Sequence, residues 1–380
     1  MPLPAERQGT SHPFHIYPRV SDLGTLADAE TIIWASIHHL CSSAVVEHVA
    51  AAFHNISRRA DRRSVATNLK LYVRQAAEFY DVAREAKPNT APLMYYYSFL
   101  NLAKALCELK RPRLHERSEC YPHGLHWRPN PRRVVNLPFE RVTISNRRGM
   151  WQTLWEALVN SRYTSASQVN LPIKVLFSYC PEVSAEYLHA FGMPLGFIDL
   201  EKPAVKWNQT RREVWLRFSI ARWIFASRRV FAPGVLAQMA NTRSGYLEVG
   251  PKDTEFRHFE SATPLVVAPN QNPAFAIAND VAAMNPAAML GQDRKLSYSI
   301  LLRRPLQRYF SLPLPQALVI YTILFWLGSL VRYDPHSVQW LMDSQYWELI
   351  DGFMSQSRLW LLELFQWEFY KTETTLYSAR

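Results

Sequence analysis

The stretch Thr90–Pro112, TAPLMYYYSFLNLAKALCELKRP, decides how this chain is built. Pro92 stands where the first turn of a helix needs no N–H, and Pro112 stands where a helix must stop. Between them Leu93, Tyr96, Tyr97, Leu100, Ala103 and Leu106 recur at three- and four-residue spacing. They form one strongly apolar face, so the helix is expected to pack into a core. Tyr97, Asn101 and Lys104 fall at i, i+4 and i+7, which places a polar stripe beside that face.

Upstream, residues 28–86 read as helical. RSVATNLKLYVRQAAEFYDVAREA places Val65, Leu69, Tyr72, Val73 and Phe79 in or near one stripe. Residues 1–20 hold four prolines and no periodicity, and read as an extended arm. Downstream, RGMWQTLWEALVNS resumes the helical pattern. The period then changes. In REVWLRFSI, Val214, Leu216, Phe218 and Ile220 alternate with Glu213, Trp215, Arg217 and Ser219, as in a strand. GYLEVG and LSYSILL are weaker strand candidates. The C-terminal part is helical again. Asp334-Pro335 reads as an N-cap and first-turn pair for HSVQWLMDSQYW, and SRLWLLELFQWEFY places Trp360, Leu364 and Trp367 on one stripe.

The expected fold is mainly α within an α+β chain. A helical domain spans 21–199, with a basic loop at 110–148. A β-containing central segment spans 200–311. A C-terminal helical segment, 312–380, packs on the core. Ala317–Val331, ALVIYTILFWLGSLV, carries no charge over 15 residues. A bilayer span needs about 20 residues, and Arg332 follows directly, so it reads as a buried core helix with no membrane partner. The four cysteines, Cys41, Cys107, Cys120 and Cys180, show no CxxC spacing. They suit a reduced, cytoplasmic protein.

The chain carries 43 Lys and Arg against 32 Asp and Glu, a net +11. Ten of the basic residues fall between Lys110 and Arg148, opposed by three glutamates. A second cluster is Arg58, Arg59, Arg62 and Arg63. Such clustering can hold polyanions such as RNA or nucleotides, or it can be a solvated surface. No Gly-rich phosphate loop, GxSxG or HExxH occurs, which argues against NTPase, hydrolase and metalloprotease classes. No cofactor is expected.

Chemistry concentrates in HERSECYPHGLH, His115–His126, with three histidines, one cysteine and one arginine. Pro122 before and Gly124 after put His123 in a turn. Three readings stand. His115, Cys120, His123 and His126 have the chemistry of zinc ligands, but their spacing is not a usual finger pattern and they bunch in one segment. As a structural turn, the segment caps the helices, with the imidazole on Asn101 or a backbone carbonyl. As an active site, His123 moves protons near neutral pH beside a cation that faces phosphate.

Two stretches together resemble the YaaC-like bacterial proteins. Tyr95–Trp127, YYYSFLNLAKALCELKRPRLHERSECYPHGLHW, has the Tyr-rich helix with Asn-Leu-x-Lys-Ala leading into a His-Gly-Leu loop. LPLPQALVIYTILFWLGSLVRYDP, followed by a Trp-containing helix, resembles the C-terminal part, including the Ser-Leu-x-Arg-Tyr ending. The match covers roughly Tyr95–Trp127 and Leu312–Trp340. The helical N-terminal part of that family is similar to HEPN domains, helical bundles found in RNA-cleaving and phage-defence proteins. HEPN nucleases carry Arg, then four to six residues, then His. Here Arg117 and His123 are separated by five residues.

The resemblance implies a HEPN-like helical domain that binds RNA or nucleotide and could act as a metal-independent endoribonuclease in defence or stress response, His123 then moving protons and Arg117 stabilising phosphate charge. Tyr97, Asn101, Lys104, Arg113 and Arg128 would hold the RNA or nucleotide, and a homodimer would bring two such sites together. The alternative is a non-catalytic protein-interaction subunit of a bacterial, defence-related assembly.

Overall fold

The computed structural model describes residues 7–13, 20–25, 29–116, 122–129, 134–164, 167–193, 195–226, 246–250, 255–269, 284–290, 296–303, 309–310 and 314–377. The chain forms two compact units. One comprises residues 1–21 and 192–314, the other residues 22–191 and 315–380. The fold is mainly α with antiparallel sheet, as the periodicities indicate.

The second unit is helical. Helices α1 (Ala29–His38), α2 (Ser43–Ala52) and α3 (Arg59–Glu85) precede α4 (Ala91–Lys110). Helix α5 is Met150–Val159, and two short helices follow, α6 (Ile173–Phe177) and α7 (Ser184–Phe191). The other unit holds α8 (Arg222–Ala226), and after it come α9 (Gln316–Tyr333), α10 (Pro335–Met342) and α11 (Trp347–Tyr370). The prolines flanking α4 act as expected, with Pro92 in its first turn and Pro112 beyond its end.

Helix α4 is apolar on more than the predicted face. It packs against α3, α5, α9 and α11, and is buried almost all round from Tyr95 to Leu109. Ser98 is fully buried and its hydroxyl donates to the Ala76 carbonyl at 2.7 Å, joining α4 to α3 without an orphaned polar atom.

Helix α9 is long and apolar enough to cross a membrane by length and composition, yet 83% of it is buried inside the protein. Its residues Gln316–Leu330 are all buried. Asp334 caps α10 by accepting from the Ser337 amide at 3.2 Å and its hydroxyl at 2.6 Å. The last helix begins at Trp347, ten residues before the predicted stretch, because Asp351, Gly352 and Ser355 break its apolar pattern.

The basic segment is not one structureless loop. It contains β3 (Leu125–His126) and β4 (Arg141–Ile144), and β4 pairs antiparallel with both β3 and β5 (Val169–Pro172). These strands are too short for alternation to register, although Leu125, Val142 and Ile144 are buried. Several of its cations are consumed inside the fold. Arg111 and Arg148 both pair with Glu156, whose carboxylate is 4% exposed. Lys110 lies 3.9 Å from Glu368, and Arg113 lies 3.3 Å from Asp61.

The first unit is built on a sheet. Strand β1 (Thr10–Pro13) pairs with β6 (Phe197–Asn208), so part of the N-terminal arm is a sheet strand. The strand order is β11 (Met284–Leu290), β12 (Leu296–Arg303), β6, β7 (Glu213–Ala221), β9 (Phe256–Ser261), β8 (Tyr246–Val249); β10 (Leu265–Val266) also pairs with β7, and β2 (Val20–Thr25) lies outside this sheet. Val214, Leu216, Phe218 and Ile220 enter one apolar core with Val205 and Phe259, as the alternation predicts. Trp215 and Ser219 on the opposite face are also buried, at 1% and 6% exposure, so β7 is covered on both sides.

Candidate functional site

His123 sits in the helical unit, in a turn that the chain builds with unusual economy of space. Gly124 has φ of +76°, a conformation open to glycine. Gly149 is needed for another reason. A Cβ there would lie 2.5 Å from the Gly124 nitrogen, so two backbones touch. The contact lets the turn cap α5. The Pro122 carbonyl accepts from the Met150 amide at 2.9 Å, and the His123 carbonyl accepts from the Trp151 amide at 3.0 Å. These are among the donors a helix leaves free at its N-terminus. Gln152, 3% exposed, donates to the Ser145 carbonyl at 2.7 Å and closes the turn from below. The approach to the turn is anchored by Glu108, fully buried, which accepts from the Arg113 amide at 2.7 Å and the Leu114 amide at 2.8 Å.

The imidazole is half-buried. Its Nδ1 lies 2.7 Å from the Tyr96 hydroxyl, which in turn lies 3.4 Å from the hydroxyl of fully buried Tyr321. The partner is thus Tyr96, and not Asn101 or a backbone carbonyl as the structural reading of the turn supposed. The Nε2 atom forms no hydrogen bond among the described residues. Burial and then the positive charges of Lys104, Arg332 and His126 hold the imidazole below its ordinary pKa of 6.5, so it is neutral at pH 7. Burial pushes both the Tyr96 and Tyr321 hydroxyls upward, so they stay protonated.

A neutral ring with Nδ1 held by a hydroxyl has two tautomers. If Tyr96 donates, Nε2 carries the proton and can give it. If Nδ1 donates to Tyr96, the Nε2 lone pair is free to accept one. Tyr321 lets the hydroxyl chain reverse either way.

His123 borders a cavity of about 160 Å³. Helix α4 contributes Tyr96 and Tyr97, and α9 contributes Phe325, Ser329, Arg332 and Tyr333. His126 and Trp127 close the third side. Arg332 donates to the Tyr97 hydroxyl at 3.2 Å and its guanidinium lies 5.1 Å from the Tyr333 ring centre. The cavity therefore joins a free imidazole nitrogen, an exposed guanidinium and aromatic walls.

Of the residues singled out from the sequence, Tyr97, His123 and His126 meet here. Lys104 stays close enough to act on the imidazole by charge, with its ammonium 5.9 Å from the Tyr72 ring centre. Asn101 is buried at 5% exposure and its amide donates to the Tyr97 carbonyl at 3.0 Å. Arg113 is held by Asp61. Arg128 borders a neighbouring cavity with Phe139 and Arg141. That cavity shares His126 and Trp127 with the first. Arg117 and Cys120 lie outside the described residues, as does the side chain of His115, and no metal-binding cluster occurs among the described residues.

Sequence reasoning missed Tyr96 and Arg332 as site residues. The signal for Arg332 was present, since it belongs to the Ser-Leu-x-Arg-Tyr ending. Apart from Leu93, every residue lining the cavity lies in Tyr95–Trp127 or Leu312–Trp340. The two stretches that carry the resemblance are the two that fold into one site. The YaaC-like protein model matches residues 42–368. The chain belongs to the YaaC-like family. No curated protein and no solved structure matches it. In this YaaC-like chain the matched span includes every residue that lines the His123 cavity, on α4, on α9 and in the turn and strand around His123.

Proposed function

We propose that this cytosolic YaaC-like protein binds RNA or a nucleotide at the His123 cavity, within a HEPN-like helical domain. The observation that carries the reading is electrostatic. Among the described residues, the charges that act on His123 come from basic side chains, with Lys104 and Arg332 the foremost. A half-buried pocket with that surplus favours an anion, and Tyr97, Trp127 and Tyr333 offer faces on which bases stack. Arg332 supplies a planar fork for a phosphate.

Metal-independent cleavage is the second reading, and one bond favours it. The Tyr96 hydroxyl fixes the ring through Nδ1 and leaves Nε2 without a hydrogen bond among the described residues, as a general base that activates a ribose 2′-hydroxyl requires. Arg117 would stabilise the phosphate there, in this chain or across a homodimer.

Binding is tested by fluorescence anisotropy with labelled single-stranded RNA over a salt series. The wild type should bind in a salt-sensitive way, and Arg332→Gln should weaken binding and lower the salt slope by about one. Salt-insensitive binding, or none, would leave the chain as a protein-interaction subunit. Cleavage is tested on total RNA in EDTA. Loss of cleavage in His123→Ala and Arg117→Ala supports the assignment, and cleavage surviving both removes it.

A further inference from the structure

A second cavity lies on the other side of the α4–α9 pair, within the same helical unit. Its volume is about 170 Å³, close to that of a cavity known to hold a benzene ring in another protein, about 150 Å³. Its walls are apolar, from Pro92 and Leu330 to Val338, Leu341, Ile350 and Met354. Its charged lining groups are Arg84, Arg358 and Asp351, and the Tyr95 hydroxyl stands with Arg358.

The charges around Arg358 do not balance among the described residues. Arg84 lies 3.1 Å from Glu30, and Arg358 lies 3.7 Å from the other oxygen of the same carboxylate. Two guanidiniums thus share one carboxylate. Arg358 is held in place by donating to the Tyr95 hydroxyl at 2.8 Å, and its guanidinium lies 6.0 Å from the Tyr95 ring centre. The remaining charged lining group, Asp351, is exposed and stands seven residues before Arg358 on α11, about 10 Å away along the helix axis. Among the described residues, the Arg84–Arg358–Glu30 cluster therefore keeps one positive charge that its carboxylate does not offset, beside an apolar chamber.

We propose that this cavity binds a small carboxylic acid with an apolar body about the size of an aromatic ring, its carboxylate meeting Arg358 and Arg84. The proposal does not depend on the RNA reading, since no residue lining this cavity lines the other.

Calorimetric titration of the full chain with three probes of one body tests it: 3-phenylpropionate, 3-phenylpropan-1-ol and 3-phenylpropylamine. The acid should bind saturably and at least about tenfold more tightly than the alcohol, as expected for a lost charge-assisted contact. Arg358→Gln and Arg84→Gln should each reduce that preference while leaving the alcohol's affinity unchanged. Met354→Trp, which fills the chamber from a half-buried position, should abolish binding. Circular dichroism and thermal melting of each variant separate lost binding from lost folding. Alcohol or amine binding as tightly as the acid overturns the proposal. So does the absence of saturable binding in the wild type, or full binding in a folded Met354→Trp.

Discussion

The hydrogen bond between Tyr96 and His123 is a single contact on which two properties rest. Tyr96→Phe keeps the ring in place and removes the hydroxyl, so Nδ1 loses its partner in a half-buried position. The expected cost is about 1–2 kcal/mol in urea unfolding, and an equal stability in the variant would show that the bond contributes nothing. The second property is the proton affinity of the ring. In the free protein His123 should titrate below 6.5, and a bound phosphate should move it upward because the anion offsets Lys104 and Arg332. NMR titration of the imidazole carbons, with and without an oligonucleotide, reads both values. An unmoved titration would place the anion elsewhere.

His54 gives a separate residue-level effect. Its Nε2 lies 2.8 Å from the Phe369 carbonyl, its Nδ1 is buried without a partner among the described residues, and burial lowers its pKa from 6.5 to about 4. Between those values the unfolded chain binds the proton that the folded protein refuses. The stability is therefore complete above pH 6.5 and is lost as pH falls through about 4, by on the order of 3 kcal/mol. Replacing His54 with Gln should flatten that part of the stability–pH curve.

At the scale of elements, the meeting of the His123 turn with α5 sets the tightest tolerance in the site. Gly149→Ala would force a Cβ within 2.5 Å of the Gly124 backbone, and the turn or the helix must shift. The expected loss is about 2–4 kcal/mol by thermal unfolding, together with loss of any activity that depends on His123. Helix α4 was legible from its bracketing prolines, and β7 from its alternation, because both signals are local. The start of α11 was not, since Gly352 and Ser355 are placed by tertiary packing and not by propensity. The site was legible in part for the same reason. His123 and Tyr97 lie on the quoted helix and its exit loop, whereas Tyr96 meets Tyr321 across 225 residues and Arg332 meets Tyr97 across 235. No window read along the chain can show such a pair.

At the scale of the whole molecule, charge is the property that sequence reading overstates. The net +11 is real, but Arg111, Arg113 and Arg148 are held by Glu156 and Asp61 and serve the fold. Fewer cations remain for a polyanion than the run from Lys110 to Arg148 suggests. On the proposed reading, affinity for RNA should therefore depend on Arg332 and Arg128 far more than on Arg113. Paired anisotropy measurements on the three Arg→Gln variants check this, and an equal loss from Arg113→Gln would contradict it.

Helix α9 is a party wall. Leu327, Leu330 and Val331 look into one chamber, while Gly328, Ser329 and Arg332 look into the other. Neighbouring positions thus answer to different rooms, and at about 100° per residue the assignment has no slack. One residue inserted ahead of Leu327 would move Val331 into the place of Arg332. It would also bring a leucine to Gly328, where the Cα of Leu93 already stands 3.4 Å from a would-be Cβ. The helix can exchange side chains one at a time, but it cannot change its count.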